Sequence, residues 1–179
     1  MIYFLVYVTR SGPFKMHASK TSLITVDLEK ILPSNPIKFV DIDSFLEGGA
    51  MIKEGVFRAV LRSFDFDSLQ GHLVGFSNNK GHILPKWAPI LLSFKFSSKN
   101  IWTTWADSEK AVHRAWMIEN LANWDASVFE DKRVSIKGCS DNLISADVYM
   151  AYVREIARYA KVLSYGEKCA LVPISKETL

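Results

Sequence analysis

Cysteine is scarce in this chain: Cys139 and Cys169 are the two in 179 residues, and no C-x-x-C spacing occurs. That excludes a disulfide scaffold and fits a reducing cytosol better than secretion. Charge of one sign is also lacking, since 22 Lys and Arg against 19 Asp and Glu leave +3. Nucleic-acid binding is not expected without a clustered basic patch, and Arg10, Lys15 and Lys20 form only a loose, solvated group. With 9 glycines and 6 prolines the chain is not collagen-like, and with 49% hydrophobic residues it is not a disordered tail. Long apolar runs are missing too. The opening MIYFLVYV is far short of the roughly 20 residues of a membrane span. Its basic residue, Arg10, follows the run rather than preceding it, which is the wrong order for a signal peptide. An added edge strand, or a wrongly placed start codon, accounts for it better.

Catalytic fingerprints are equally sparse. There is no G-x-G-x-x-G, Walker A, G-x-S-x-G or H-E-x-x-H, and no spaced carboxylate pair. The aromatic residues (11 Phe, 6 Tyr, 5 Trp) fall on helix and strand faces and read as core rather than base-stacking platforms.

What is present is an α/β grammar. Residues 1–22 read as a strand and linker of uncertain status, and 23–179 as one domain. Strands are expected at 23–28, 37–42, 73–76, 101–105, 133–137 and 162–165. Helices are expected at 53–63, from Pro85 with a buried stripe of Trp87, Ile90, Leu91 and Phe94, from Asp107 to about Asn123, and after a Ser145 cap. Strands alternating with helices imply a mainly parallel sheet with helices on both faces. Sliding the chain along itself until Asn78 falls on Cys139 also places Ile83 on Ile144, and Ile101 and Trp102 on Val162 and Leu163. Both a weak internal duplication and two unrelated βαβ units account for this.

Cys139 sits between a strand's carboxyl end and a helix start, where open α/β sheets bind ligands and where helix N–H groups favour thiolate. If the strands before Cys139 and Cys169 are neighbours, both thiols emerge at one sheet edge. The functional reading is a thiol pair for sulfur, metal or redox work; the plainer one is two small buried residues filling gaps. Asp141 could accept a proton or orient a ligand, or simply form an Asx-turn. Gly138 gives the backbone a tight bend or a close approach. His82 could join Cys139 and Cys169 around a metal, although zinc wants three or four ligands and no fourth is evident. The alternative for His82 is a surface loop histidine. His113 reads as an exposed or satisfied helix residue.

SLITVDLEKILP, FRAVL, LPKWA, DKRVSIKGCSDN and SYGEKCALVP occur in one order between about Ser19 and Lys176. In this the chain resembles a divergent member of the bacterial family catalogued as domain of unknown function 2480, uncharacterised proteins of Bacteroidetes type. The family has no established activity. The resemblance implies a link to sulfur mobilisation, because genes of the family tend to lie near those for iron–sulfur cluster assembly. It further implies cysteines at Cys139 and Cys169, a third where this chain has Asn78, and Asp where it has Gly81. These departures leave a pair of thiols at most.

The expectation is therefore a cytoplasmic accessory protein of sulfur or iron–sulfur metabolism, working through Cys139 and Cys169 with proteins of that assembly pathway as partners. The alternative is a non-catalytic interaction module with structural cysteines. A third reading is a small-molecule enzyme using loops 77–82 and 138–145, with Asn78 and Gly138 as cofactor-binding positions. The sequence names no cofactor.

Overall fold

Each of the six strands expected between residues 23 and 165 forms, but they make two sheets rather than one. The computed structural model describes residues 23–46, 52–137, 143–166 and 170–175. The expectations for residues 1–22, Gly138, Cys139, Asp141 and Cys169 lie outside them. The chain divides into two compact units: unit 1 is Met1–Pro33 with Trp116–Leu179, and unit 2 is Ser34–Ala115.

In unit 2, β2 (Ile37–Asp41), β3 (Leu73–Ser77) and β4 (Trp102–Trp105) pair in that order, all parallel. The central strand LVGFS is buried at every position, as a parallel strand covered on both faces must be. Between β2 and β3 lies α1 (Glu54–Arg62), which buries Phe57 and Leu61 at i, i+4. Between β3 and β4 lies α2 (Trp87–Ser97). The core is aromatic-rich, with Phe76 against Phe96 at 4.9 Å and Phe57 against Trp87 at 5.5 Å, both edge to face. Such pairs add about 0.5–1.5 kcal/mol beyond the area they bury.

The expected stripe of α2 is corrected. Ala88, Leu92 and Phe96 face the core, whereas Ile90 and Phe94 are 69% and 66% exposed. The helix is apolar nearly all round, so its period alone cannot choose the inward face. Pro89 is the third residue of this helix. Its missing N–H is one of those left unpaired in any first turn, so it costs little.

In unit 1 the order is β1 (Leu23–Asp27), β5 (Arg133–Lys137), β6 (Val162–Tyr165) and β7 (Val172–Pro173), the last pair antiparallel. Helix α4 (Ala146–Ile156) joins β5 to β6 and buries Val148, Ala151, Tyr152 and Ile156. Tyr152 is 1% exposed and its hydroxyl reaches the Met117 carbonyl oxygen at 3.4 Å; desolvation pushes its pKa up to about 12. Helix α3 (Glu109–Leu121) holds the last residues of unit 2, to Ala115, and the first of the second segment of unit 1, from Trp116; it buries Val112, His113 and Met117, whereas Ala111 and Ala115 are only partly buried and Ala122 is exposed.

The two units share an internal order: strand, 3₁₀ turn, helix, 3₁₀ turn, strand, helix, strand, with unit 2 interrupting unit 1 after its first 3₁₀ turn. Their registers correspond. Leu73 pairs with Trp102 and Arg133 with Val162, so the step along the chain from Leu73 to Arg133 equals that from Trp102 to Val162. The same step separates two matching turns: Asp65 Oδ1 accepts from the Asp67 N–H, and Asp125 Oδ1 from the Ser127 N–H.

Gly75 fits β3 because a side chain there has no room. A Cβ would lie 2.8 Å from the Phe39 ring and 2.9 Å from the Ala106 carbonyl oxygen. The ring can swing away, but residue 106 is tied to β3 by its N–H bond to the Phe76 carbonyl oxygen at 2.9 Å. Gly75→Ala is expected to destabilise the protein by about 1–3 kcal/mol in urea melts. Adding Phe39→Ala should not restore stability, and full rescue by that second change would show the backbone contact to be harmless.

Candidate functional site

Parallel sheets gather the loops after their strands at the carboxyl edge, and each unit has one such edge. In unit 2, β2 ends at Asp41 directly opposite Ser77, the end of β3. Asp41 Oδ1 accepts from the Asp43 N–H at 2.8 Å, and Oδ2 from Ser77 Oγ and the Asn79 N–H, both at 3.2 Å. The Asp43 N–H above all, helped by the other two donors, holds the Asp41 carboxyl below its ordinary range despite some desolvation.

Asp43, in the 3₁₀ turn Ile42–Phe45, takes Lys80 Nζ at 2.6 Å and His82 Nε2 at 3.0 Å. The Lys80 bond first, then that of His82, lowers the Asp43 pKa, and the same lysine bond raises that of Lys80. Asn78 shapes the loop itself: its Oδ1 accepts from the His82 N–H at 2.8 Å, and its Nδ2 donates to the His82 carbonyl oxygen at 2.9 Å. Its amide is thus engaged in closing residues 78–82. Of the set Cys139, Cys169 and His82, only His82 is described, and its Nε2 is turned to Asp43. Among the described residues no group of three His, Cys, Asp or Glu could hold a metal ion. What this edge can do is orient one imidazole by a carboxylate, leaving Nδ1 as its second ring nitrogen.

The edge of unit 1 is built on the same frame but closed differently. Here β1 ends at Asp27, opposite Lys137, the end of β5. Asp27 is 7% exposed, and its Oδ2 lies 3.9 Å from Lys30 Nζ and 4.0 Å from Lys137 Nζ. Its Oδ1 is buried with no hydrogen-bond partner among the described residues. Two buried serines clamp the neighbouring strands: Ser135 Oγ donates to the Gly166 carbonyl oxygen at 2.7 Å and Ser164 Oγ to that of Val134 at 3.2 Å. Gly166, just past β6, has φ 109°, and a Cβ there would stand 2.5 Å from the Ala170 carbonyl oxygen. Glycine is therefore required where the chain turns back toward β7.

Strands β5 and β6 are parallel neighbours, which meets the condition set by the sequence for the two thiols. Cys139 follows Lys137 by two residues and Cys169 follows Gly166 by three. Asp27, Lys137 and Asp43 escape a reading from sequence. The usable signal is the repeated Val-Asp, at 26–27 and 40–41, closing a strand before a 3₁₀ turn. His113 is a correction: it is 5% exposed with Nδ1 unpartnered among the described residues, so it is neither exposed nor satisfied. Desolvation lowers its pKa against the opposing pull of Glu109, whose carboxylate is 3.9 Å from Nε2.

Because the folded pKa of Asp41 and Asp43 is depressed below 3.8, their contribution to stability is complete above that value and is lost as the pH falls through the lower folded values. Urea midpoints are expected to drop below about pH 4. Asp41→Asn should lower the midpoint at neutral pH and flatten that acid slope; an unchanged slope would remove Asp41 from the account. No curated protein and no solved structure matches the chain. The match comes from one family, described as Protein of unknown function (DUF2480), over residues 15–177, and the chain belongs to that family.

Proposed function

We propose that the protein handles sulfur at the carboxyl edge of unit 1, with Cys139 and Cys169 as a thiol pair. In this reading it is an accessory factor of sulfur or iron–sulfur cluster metabolism in the cytoplasm, and its partners are proteins of that assembly. The observation that carries the reading is the parallel pairing of β5 with β6. Neighbouring strands run about 4.8 Å apart. Two or three residues of chain beyond each strand end reach up to roughly 7–10 Å. Cα separations of about 4.4–6.8 Å, which a disulfide needs, are therefore within reach of both cysteines.

Electrostatics favour Cys139 as the nucleophile. It lies between Lys137 and the start of α4 in the chain, and a cation or helix N-terminus near a thiol stabilises the thiolate. Cys169 is then the resolving partner, and Asp141 orients the ligand. Thiol chemistry is preferred to a metal held by Cys139, Cys169 and His82, because zinc wants three or four ligands and no fourth is evident.

A second reading, a non-catalytic interaction module, is favoured by the outer face of α2, where Ile90 and Phe94 stand exposed at i, i+4. Exposed apolar pairs at that spacing suit a groove on a partner. One experiment separates the two. Protein purified under reductant is assayed for reactive thiols, metal and sulfane sulfur, beside Cys139→Ser. The sulfur reading expects Cys139 to alkylate first and any bound sulfur or metal to be lost in the variant. Two thiols inert until denaturation, with nothing bound, would sink it and leave the interaction module.

A further inference from the structure

We propose that the outer face of α2, with the stretch leading into it, rests on an anionic lipid surface. The inference is independent of the thiol reading, and it competes with a partner's groove for the same face. Two features of unit 2 coincide there. The first is exposure. Ile83, Ile90 and Phe94 are 87%, 69% and 66% exposed, the three highest values for large hydrophobic side chains among the described residues. Scattered exposed apolar residues are ordinary, but these three fall within one short stretch of chain.

The second feature is charge. No Asp or Glu occurs from Ser68 to Ala106, the longest acid-free run of the chain, whereas Lys80, Lys86, Lys95 and Lys99 all fall inside it. Lys80 is engaged by Asp43, and Lys99 stands over the Phe66 ring at 6.0 Å. Lys86 and Lys95 are the cations of the helix itself, at its N-cap and in its last turn.

Helical geometry joins the two features. Lys86 already has helical backbone angles, so Lys86, Ile90 and Phe94 follow one another at i, i+4 and form one exposed row. Ser93 and Ser97 are exposed beside it. Ala88, Leu92 and Phe96 hold the opposite face in the core, so α2 cannot roll over to hide Ile90 and Phe94.

A bilayer suits this surface better than a groove does. A groove reads apolar anchors along one helix at i, i+3, i+4 and i+7. Here α2 supplies two, its row runs out into Ser98, and the most exposed residue, Ile83, lies before the helix. A deformable lipid surface takes anchors from both segments, and its continuous negative potential takes lysines wherever they fall. Lysine stems can lie along the acyl boundary while their ammonium groups reach phosphate. Among the described residues no helix is long and apolar enough to cross a membrane. On this proposal α2 lies along the surface, with Ile83, Ile90 and Phe94 at the boundary between headgroups and chains.

The test is co-sedimentation of the full-length protein with vesicles of phosphatidylcholine alone, or of equal parts phosphatidylcholine and phosphatidylglycerol. Partition is expected onto the phosphatidylglycerol vesicles at low salt and to fall steeply near 1 M salt, where the screening length is about 3 Å. Ile90→Ser with Phe94→Ser should weaken it at least about tenfold, because burial of large apolar side chains is lost. Lys86→Gln should weaken it about fivefold, the worth of one lysine at an anionic surface. These side chains are exposed, so urea midpoints of the variants should match wild type; should the double variant not fold, Phe94→Ser and Lys86→Gln decide. Wild-type protein that stays in the supernatant with both vesicles would overturn the proposal and leave the face to a protein groove. Equal partition onto both vesicles would overturn the anionic requirement. Partition indifferent to the serine changes would place the contact elsewhere on the chain and overturn the role of α2.

Discussion

Parallel strand pairing is the constraint on which this structure turns. A parallel pair cannot be closed by a tight hairpin, so each next strand must be reached by a crossover. In unit 2 the crossovers are α1 and α2, and in unit 1 the step from β5 to β6 is α4. Every crossover starts from a carboxyl strand end, so polar loops collect at one edge of each sheet while the helices supply the apolar cover. The edge residues Asp27, Asp41, Ser77 and Lys137 occupy register positions fixed by the pairing. Their chemistry follows from where the strands stop.

The same frame is used in two ways. In unit 2 the edge satisfies itself: Asp41, Asp43, Ser77, Asn79, Lys80 and His82 exchange donors and acceptors until the carboxylates are occupied. In unit 1 the corresponding aspartate keeps one oxygen without a donor among the described residues. A hydrogen-bonded network that closes on itself fixes its own geometry, and one with an open member is suited to exchange with something else.

Much of the fold is legible in the sequence because strand ends carry local signals. VDL, VDI and the turn residues around Pro33 and Asn35 mark β1 and β2 within a residue. Helix phase is less legible. WAPILLSFKFS is apolar on every side, and only packing selects Ala88, Leu92 and Phe96 over Ile90 and Phe94. His113 looks like an ordinary helix residue because its burial is not written in its neighbours. The candidate site is half legible. Cys139 and Cys169 stand out by rarity, and the adjacency of their strands meets a condition the sequence could only state. Asp27 does not stand out, because a strand-final Asp usually means a turn, and its lack of a donor depends on Lys137 from a distant strand.

The division of unit 1 has a consequence for synthesis of the chain. Leu23 pairs with Arg133, and all of unit 2 is made in between. As the chain emerges, unit 2 has its three strands and both of its crossover helices before the first partner of β1 exists. Loop-closure entropy grows only slowly with length, so the final pairing is not forbidden, but it is late. Non-local parallel pairing is slow to form, and the waiting strand carries unpaired backbone groups. For β1 the ribosome's pace, rather than its own sequence, sets how long that edge stays open.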